Sequence, residues 1–208
     1  RADINARNRD GRTPLVLAAC RGREQCVQLL LSRGAISGIL DNEGFHVLHW
    51  ASHKRLPNIM RVLLASGADV DVSDRGGFTP LQWSSLHGDM DTVAILLDTG
   101  ANVNSTTAEG ETPIFWAARN DHVDVLKALW ARGARVGVAN RDGDTPLHLA
   151  AASDAVNAVR QLLTKGADPL VRNARGLAPV DVALVNAKAI LVQFVNSMPV
   201  QQLQQFQL

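Results

Sequence analysis

Three histidines, His46, His49 and His53, are spaced so that one helix face would carry them together, an arrangement that can hold a transition metal. No nearby cysteine or carboxylate completes the set, so no metal site is expected. Cys20 and Cys26 match no familiar zinc spacing and read as two reduced thiols of an intracellular protein. A Gly-rich phosphate loop, a Gly-x-Ser-x-Gly elbow, a cysteine and histidine in comparable register and a zinc-protease motif are all missing from the sequence. Catalysis therefore finds no support, and no cofactor is expected. Asn104-Ser105-Thr106 is formally a glycosylation sequon, read here as a loop tip. The remaining chemistry is charge and aromatic surface, and it is regularly spaced. Arg21, Lys54, His87 and Asn120 fall at one interval, and His53, Leu86 and Arg119 at the same interval one residue earlier.

That interval is 33 residues, and it governs the whole chain. Thr13-Pro14 recurs as Thr79-Pro80, Thr112-Pro113 and Thr145-Pro146, with His46-Val47 and Ala178-Pro179 in the same slots. Gly11, Gly44, Gly77, Gly110, Gly143 and Gly176 keep the beat, and so do Gly34, Gly67, Gly100, Gly133 and Gly166, each followed by Ala. Asp/Asn-x-x-Gly predicts a tight turn in which the side chain bonds nearby amides and Gly takes a positive φ. Thr then caps a helix whose first residue is Pro, where the missing N–H costs nothing. Leu147, Ala150 and Ala151 carry the apolar face of that short helix, and Val159, Leu162 and Leu163 that of a second one, closed by Gly-Ala. One such pair cannot bury its own apolar face, so stacking must supply the core.

The string Thr145-Pro146-Leu147-His148-Leu149-Ala150-Ala151, with its 33-residue period, resembles the ankyrin repeat over residues 1 to about 198. The resemblance implies an all-α solenoid of stacked antiparallel helix pairs with β-hairpin-like turns at the tips. One domain is expected over 1–198. Residues 1–7 read as the tail of a preceding repeat, which suggests an excerpt of a longer array or protein. Full repeats follow at 8–40, 41–73, 74–106, 107–139 and 140–172. A more polar capping repeat is expected at 173–198, where Asp181 takes the histidine slot, and a Gln-rich tail at 199–208 reads as a linker. The resemblance also gives His49 and His148 the role of tethering adjacent turns. Trp50, Trp83 and Trp116 share a register held elsewhere by Leu17, Leu149 and Val182, and are expected to pack between helices; Trp130 is expected in the core.

Where the repeats disagree, binding specificity is expected. In ankyrin-like arrays the turn tips and the exposed end of the first helix face a concave groove. That register places Arg21, His53, Lys54, Leu86, His87, Arg119 and Asn120 there, a basic stripe. The tips carry Arg9, Arg12, Phe45, Arg75 and Phe78 in the first three repeats and switch to Glu109, Glu111, Asp142 and Asp144 in the next two. Phe45 and Phe78 read as exposed anchors, because aromatics dominate binding when a partner buries them. Lys+Arg 21 against Asp+Glu 20 gives a net charge of +1, which argues against nucleic acid as partner. No run is long and apolar enough to enter a membrane. The expected function is non-catalytic protein recognition of an acidic or phosphorylated partner segment, in the cytoplasm or nucleus. Two alternatives are a recruiting region of a larger enzyme and a structural or self-association module.

Overall fold

The structure is a computed structural model that describes residues 3–198, and the Gln-rich 199–208 lies outside the described residues. The chain forms two compact units, 1–108 and 109–208. Among the described residues every regular element is a helix. The first unit contains α1 (Pro14–Cys20), α2 (Glu24–Ser32), α3 (Val47–His53), α4 (Pro57–Ala65), α5 (Pro80–His87) and α6 (Met90–Asp98). The second contains α7 (Pro113–Arg119), α8 (Val123–Ala131), α9 (Pro146–Ala152), α10 (Val156–Thr164), α11 (Pro179–Val182) and α12 (Val185–Ser197). Within the first unit α1, α3 and α5 form one layer and α2, α4 and α6 the other; in the second, α7, α9 and α11 face α8, α10 and α12. Leu48, Leu81 and Leu96 fill the first core and Phe115, Leu126, Leu147 and Leu162 the second.

Each first helix begins as the Thr-Pro pairs predict, but the third helical residue sets how firmly. Gln82 Oε1 accepts the Thr79 N–H at 2.7 Å and its amide donates to Ser105 O at 3.2 Å. Histidine does the same work with a ring. Nδ1 of His49 accepts from His46 N at 2.9 Å and Nε2 donates to Val72 O at 3.0 Å. His148 repeats this, with Thr145 N and Leu177 O at 3.1 and 3.0 Å. These bonds require a proton on Nε2 and none on Nδ1; they tie the start of α3 to the approach to the next tip and the start of α9 to the closing residue of the next tip turn. Asp181 accepts from Ala178 N at 2.9 Å, so an acid replaces histidine as the helix starter where Thr has become Ala.

The tips are narrow turns rather than strands. Asp41 N donates to Phe45 O at 2.9 Å, and successive tips are joined by single backbone bonds: Asn42 N to Asp10 O, Arg141 N to Glu109 O and Ala174 N to Asp142 O. The repeat from 173 departs from the period. Asp154 bonds Asn186 and Ala187 as Asp121 bonds Asn157 and Ala158, so the step from second helix to second helix is four residues short. Three of the missing residues come from the end of the first helix, which leaves α11 only four residues long, and one from the bend that follows it.

Candidate functional site

The ends of the first helices gather the charge that the sequence placed there. In the first unit Arg21, His53, Lys54 and Arg55 are exposed, with Leu86 and His87 half-buried. Chain positions 20–22, 53–55 and 86–88 hold no carboxylate. His53 Nδ1 and His87 Nε2 lie 3.1 Å apart, and Arg55 Nη2 donates to His87 O at 2.8 Å. Burial and then the charge of Lys54 push the His53 ring below the ordinary imidazole range. In the second unit Arg119 and Asn120 occupy the same register and are exposed, and Asn120 Nδ2 donates to Trp116 O at 2.8 Å.

Beneath the cations lies an aromatic surface. Phe45 sits 5.4 Å from both Trp50 and Trp83, and Phe78 sits 5.5 Å from Trp83. His53 meets both indoles edge-on. The two tryptophans are half-buried, not enclosed between helices as expected, because each indole N–H reaches a tip carboxylate: Trp50 to Asp41 at 3.1 Å, Trp83 to Asp74 at 3.0 Å. Trp130 is also half-buried rather than core, with Lys165 Nζ 5.6 Å from its ring centre.

The tip residues divide. Arg9 and Arg75 are exposed. Arg12 is held by the chain itself, its Nε 3.5 Å from the buried Asp41 carboxylate and its guanidinium 4.3 Å over Trp50. Phe45 and Phe78 are half-buried in the ring cluster rather than standing free. The slot they share joins neighbouring tips elsewhere: Glu111 accepts from Asn140 at 3.3 Å and Asp144 from Asn173 at 2.6 Å. Burial raises the Glu111 carboxyl above its usual range.

Among the described residues no group of three or more His, Cys, Asp or Glu is placed to hold a metal. His46 and His49 are engaged at the start of α3, and Cys20 and Cys26 are free thiols. Sequence reasoning missed the residues between paired helices. Arg55, Asp121 and Asp154 take positive φ values of 55°, 58° and 55°, in the register of Gly22 and Gly88. Asp121 and Asp154 use that bend to cap the next repeat's second helix, with Ala158 N and Ala187 N donating at 2.6 and 2.7 Å. The signal was present as non-glycine residues at a glycine position.

Comparison with known proteins agrees with this geometry. The family described as ankyrin repeats (3 copies) matches residues 1–74 and 81–173, and the chain belongs to it. The crystal structure of the ankyrin repeat domain of Bcl-3, described as a unique member of the IkappaB protein family, superposes with a TM-score of 0.81 at 28% identity. That match covers 94% of this chain and 86% of that one. Palmitoyltransferase AKR1 of Saccharomyces cerevisiae is 42% identical over 59 residues, 28% of this chain and 8% of that protein. A probable palmitoyltransferase AKR2 of Saccharomyces uvarum is 47% identical over 49 residues, 24% of this chain and 7% of that protein. The chain is thus similar to less than a tenth of the length of these curated relatives. Ankyrin repeats are protein-interaction modules, and among the described residues no helix is long and apolar enough to cross a membrane.

Proposed function

We propose that this domain, itself non-catalytic, holds an acidic segment of a partner protein against the first-helix ends. The observation that carries the reading is the run of cations in the first unit, Arg21, Lys54 and Arg55, at positions where no carboxylate stands. The segment's acidic groups lie over Arg21, His53, Lys54 and His87; Arg119 and Asn120 hold the corresponding repeat positions in the second unit and can take an acidic group there. Its apolar side chains meet Leu86 and the ring cluster of Phe45 and Phe78, and Arg9 and Arg75 steer it at the tips. Rigid presentation limits the ordering cost of association.

The test is capture from lysate with two baits, the native chain and one carrying Arg21→Glu, Lys54→Glu and Arg119→Glu, both confirmed folded by circular dichroism. A protein held by the first and lost by the second is the expected result. Equal retention by both removes the electrostatic reading. A second reading, a recruiting arm of a larger enzyme, is supported by the two palmitoyltransferases to which part of the chain is similar. A captured protein that becomes S-acylated when the array is present in its full natural polypeptide, and not when the array is deleted, would favour it.

A further inference from the structure

We propose that His53, Lys54, Arg55 and His87 together seat a phosphorylated side chain of the partner segment, a proposal that rests on the protein-binding reading above. The two imidazoles come from successive repeats, at the ends of α3 and α5, and their facing nitrogens lie 3.1 Å apart. At that distance the two nitrogens share one N–H in the neutral pair. Their placement is set from below. His53 stands edge-on to Trp50 and Trp83, at 84° and 85°, and both indoles are fixed by their N–H bonds to Asp41 and Asp74. Arg55 ties the same two repeats by donating to the backbone His87 O, at the residue that carries the second ring.

The charged and titratable groups at this end of the unit favour an anion. Lys54 and Arg55 follow α3, and Cys20 and Arg21 end α1. Three acids of this unit are already engaged. Asp41 and Asp74 accept from the indoles, and Asp89 accepts from Thr92 at the start of α6.

The imidazole pair distinguishes phosphate from carboxylate. With one shared proton, the rings cannot both donate to an incoming ligand. Burial and Lys54 also keep His53 below the ordinary imidazole range, so it is neutral near pH 7 in the free protein. A phosphoryl group carries about −1.5 to −2 charge at neutral pH and offers three acceptor oxygens. That charge is enough to draw one further proton onto the pair, giving one N–H between the facing nitrogens and one on the outer nitrogen of each ring, beside Lys54 and Arg55. A carboxylate has one charge and two oxygens and provides less of this drive. Binding therefore takes up a proton. Affinity rises as the pH falls from about 8 toward about 6, and levels off where the phosphate itself gains a proton.

The experiment compares degenerate acidic peptide pools with a fixed central phosphoserine, glutamate or serine, measured by retention on the immobilised full chain between about pH 6 and about pH 8. The expected result is retention of the phosphoserine pool about tenfold above the glutamate pool at the acid end, with the ratio shrinking as the pH rises. The variant His53→Gln with His87→Gln should abolish the excess of phosphoserine over glutamate retention at every pH. Its circular dichroism melt confirms that it is folded. Equal retention of the two acidic pools, or a phosphoserine preference unaffected by pH and by the glutamines, overturns the seat while leaving the protein-binding reading standing. Failure to retain any acidic pool overturns both.

Discussion

His46 fills a cap position held by Thr13, Thr79, Thr112 and Thr145, and it is 2% exposed. Its Nδ1 accepts from Leu48 N at 3.1 Å, which requires an unprotonated ring nitrogen. Burial, reinforced by the neighbouring His49, lowers its pKa to about 4. The unfolded chain then binds a proton near pH 6.5 that the folded chain refuses until about pH 4. Stability is therefore complete above about 6.5 and declines as the pH falls through that window, by roughly 3 kcal/mol from this residue. His46→Thr should flatten this part of the pH dependence in urea melts, since Thr caps without titrating. Ser52 and Ser85 give a prediction of opposite sign. Both hydroxyls are buried with no hydrogen-bond partner, at a register where other repeats place Ala19, Ala118 and Ala151. Ser85→Ala should stabilise the protein by about 1 kcal/mol, read from the urea midpoint. The histidines' roles at helix starts were legible from their slots. The indole–carboxylate bonds were not, because they depend on a reach of nine residues from tip to helix that periodicity does not encode.

The two glycine series look alike in the sequence but do different work in the paired-helix element. At Gly143, φ is 76° and a Cβ would come within 2.7 Å of Ala174 N, the amide that joins two tips. At Gly166, φ is 84° and a Cβ would meet nothing within 4 Å. Gly143→Ala should cost about 3 kcal/mol, combining left-handed strain with a displaced tip, and Gly166→Ala about 1 kcal/mol from strain alone. Thermal melts of the two variants separate close approach from backbone freedom. Helix number, helix starts and layer order could be read from spacing, because capping and apolar pattern are local. The aspartates at 121 and 154 could not, since their partners lie in the following repeat. Asp154 is held below the usual carboxylate range first by the Ala187 N–H and then by the Asn186 side chain. Its contribution is thus present above its unfolded value and lost as the pH falls through its folded one. Asp154→Ala should speed amide exchange of Ala187 and loosen the start of α12, whereas the same experiment at α10 should show no change.

For the molecule as a whole, a net charge of +1 means that attraction to an acidic partner comes from local cations at the helix ends and tips and not from the overall charge. Association should therefore slow severalfold between about 0.05 and about 0.5 M salt, with dissociation changing less, measured by stopped-flow with a captured partner. The family and its mode of action were legible because the period repeats many times. The exposure of the cations at the first-helix ends was legible too, but the ring cluster and histidine pair needed coordinates, being products of neighbours a full repeat apart. The short last step, where α11 loses its final turn while the tip bond from Ala174 to Asp142 survives, bears on how such a chain can evolve. Tip and helix start keep time from one repeat to the next, so their length is not free to drift. The end of the first helix and the bend that follows it absorbed a four-residue change without disturbing the tip bond or the cap from Asp154. Insertions and deletions are thus tolerated at the same helix ends that carry the cations, and natural variation in length can retune what the protein recognises while the scaffold stays in phase.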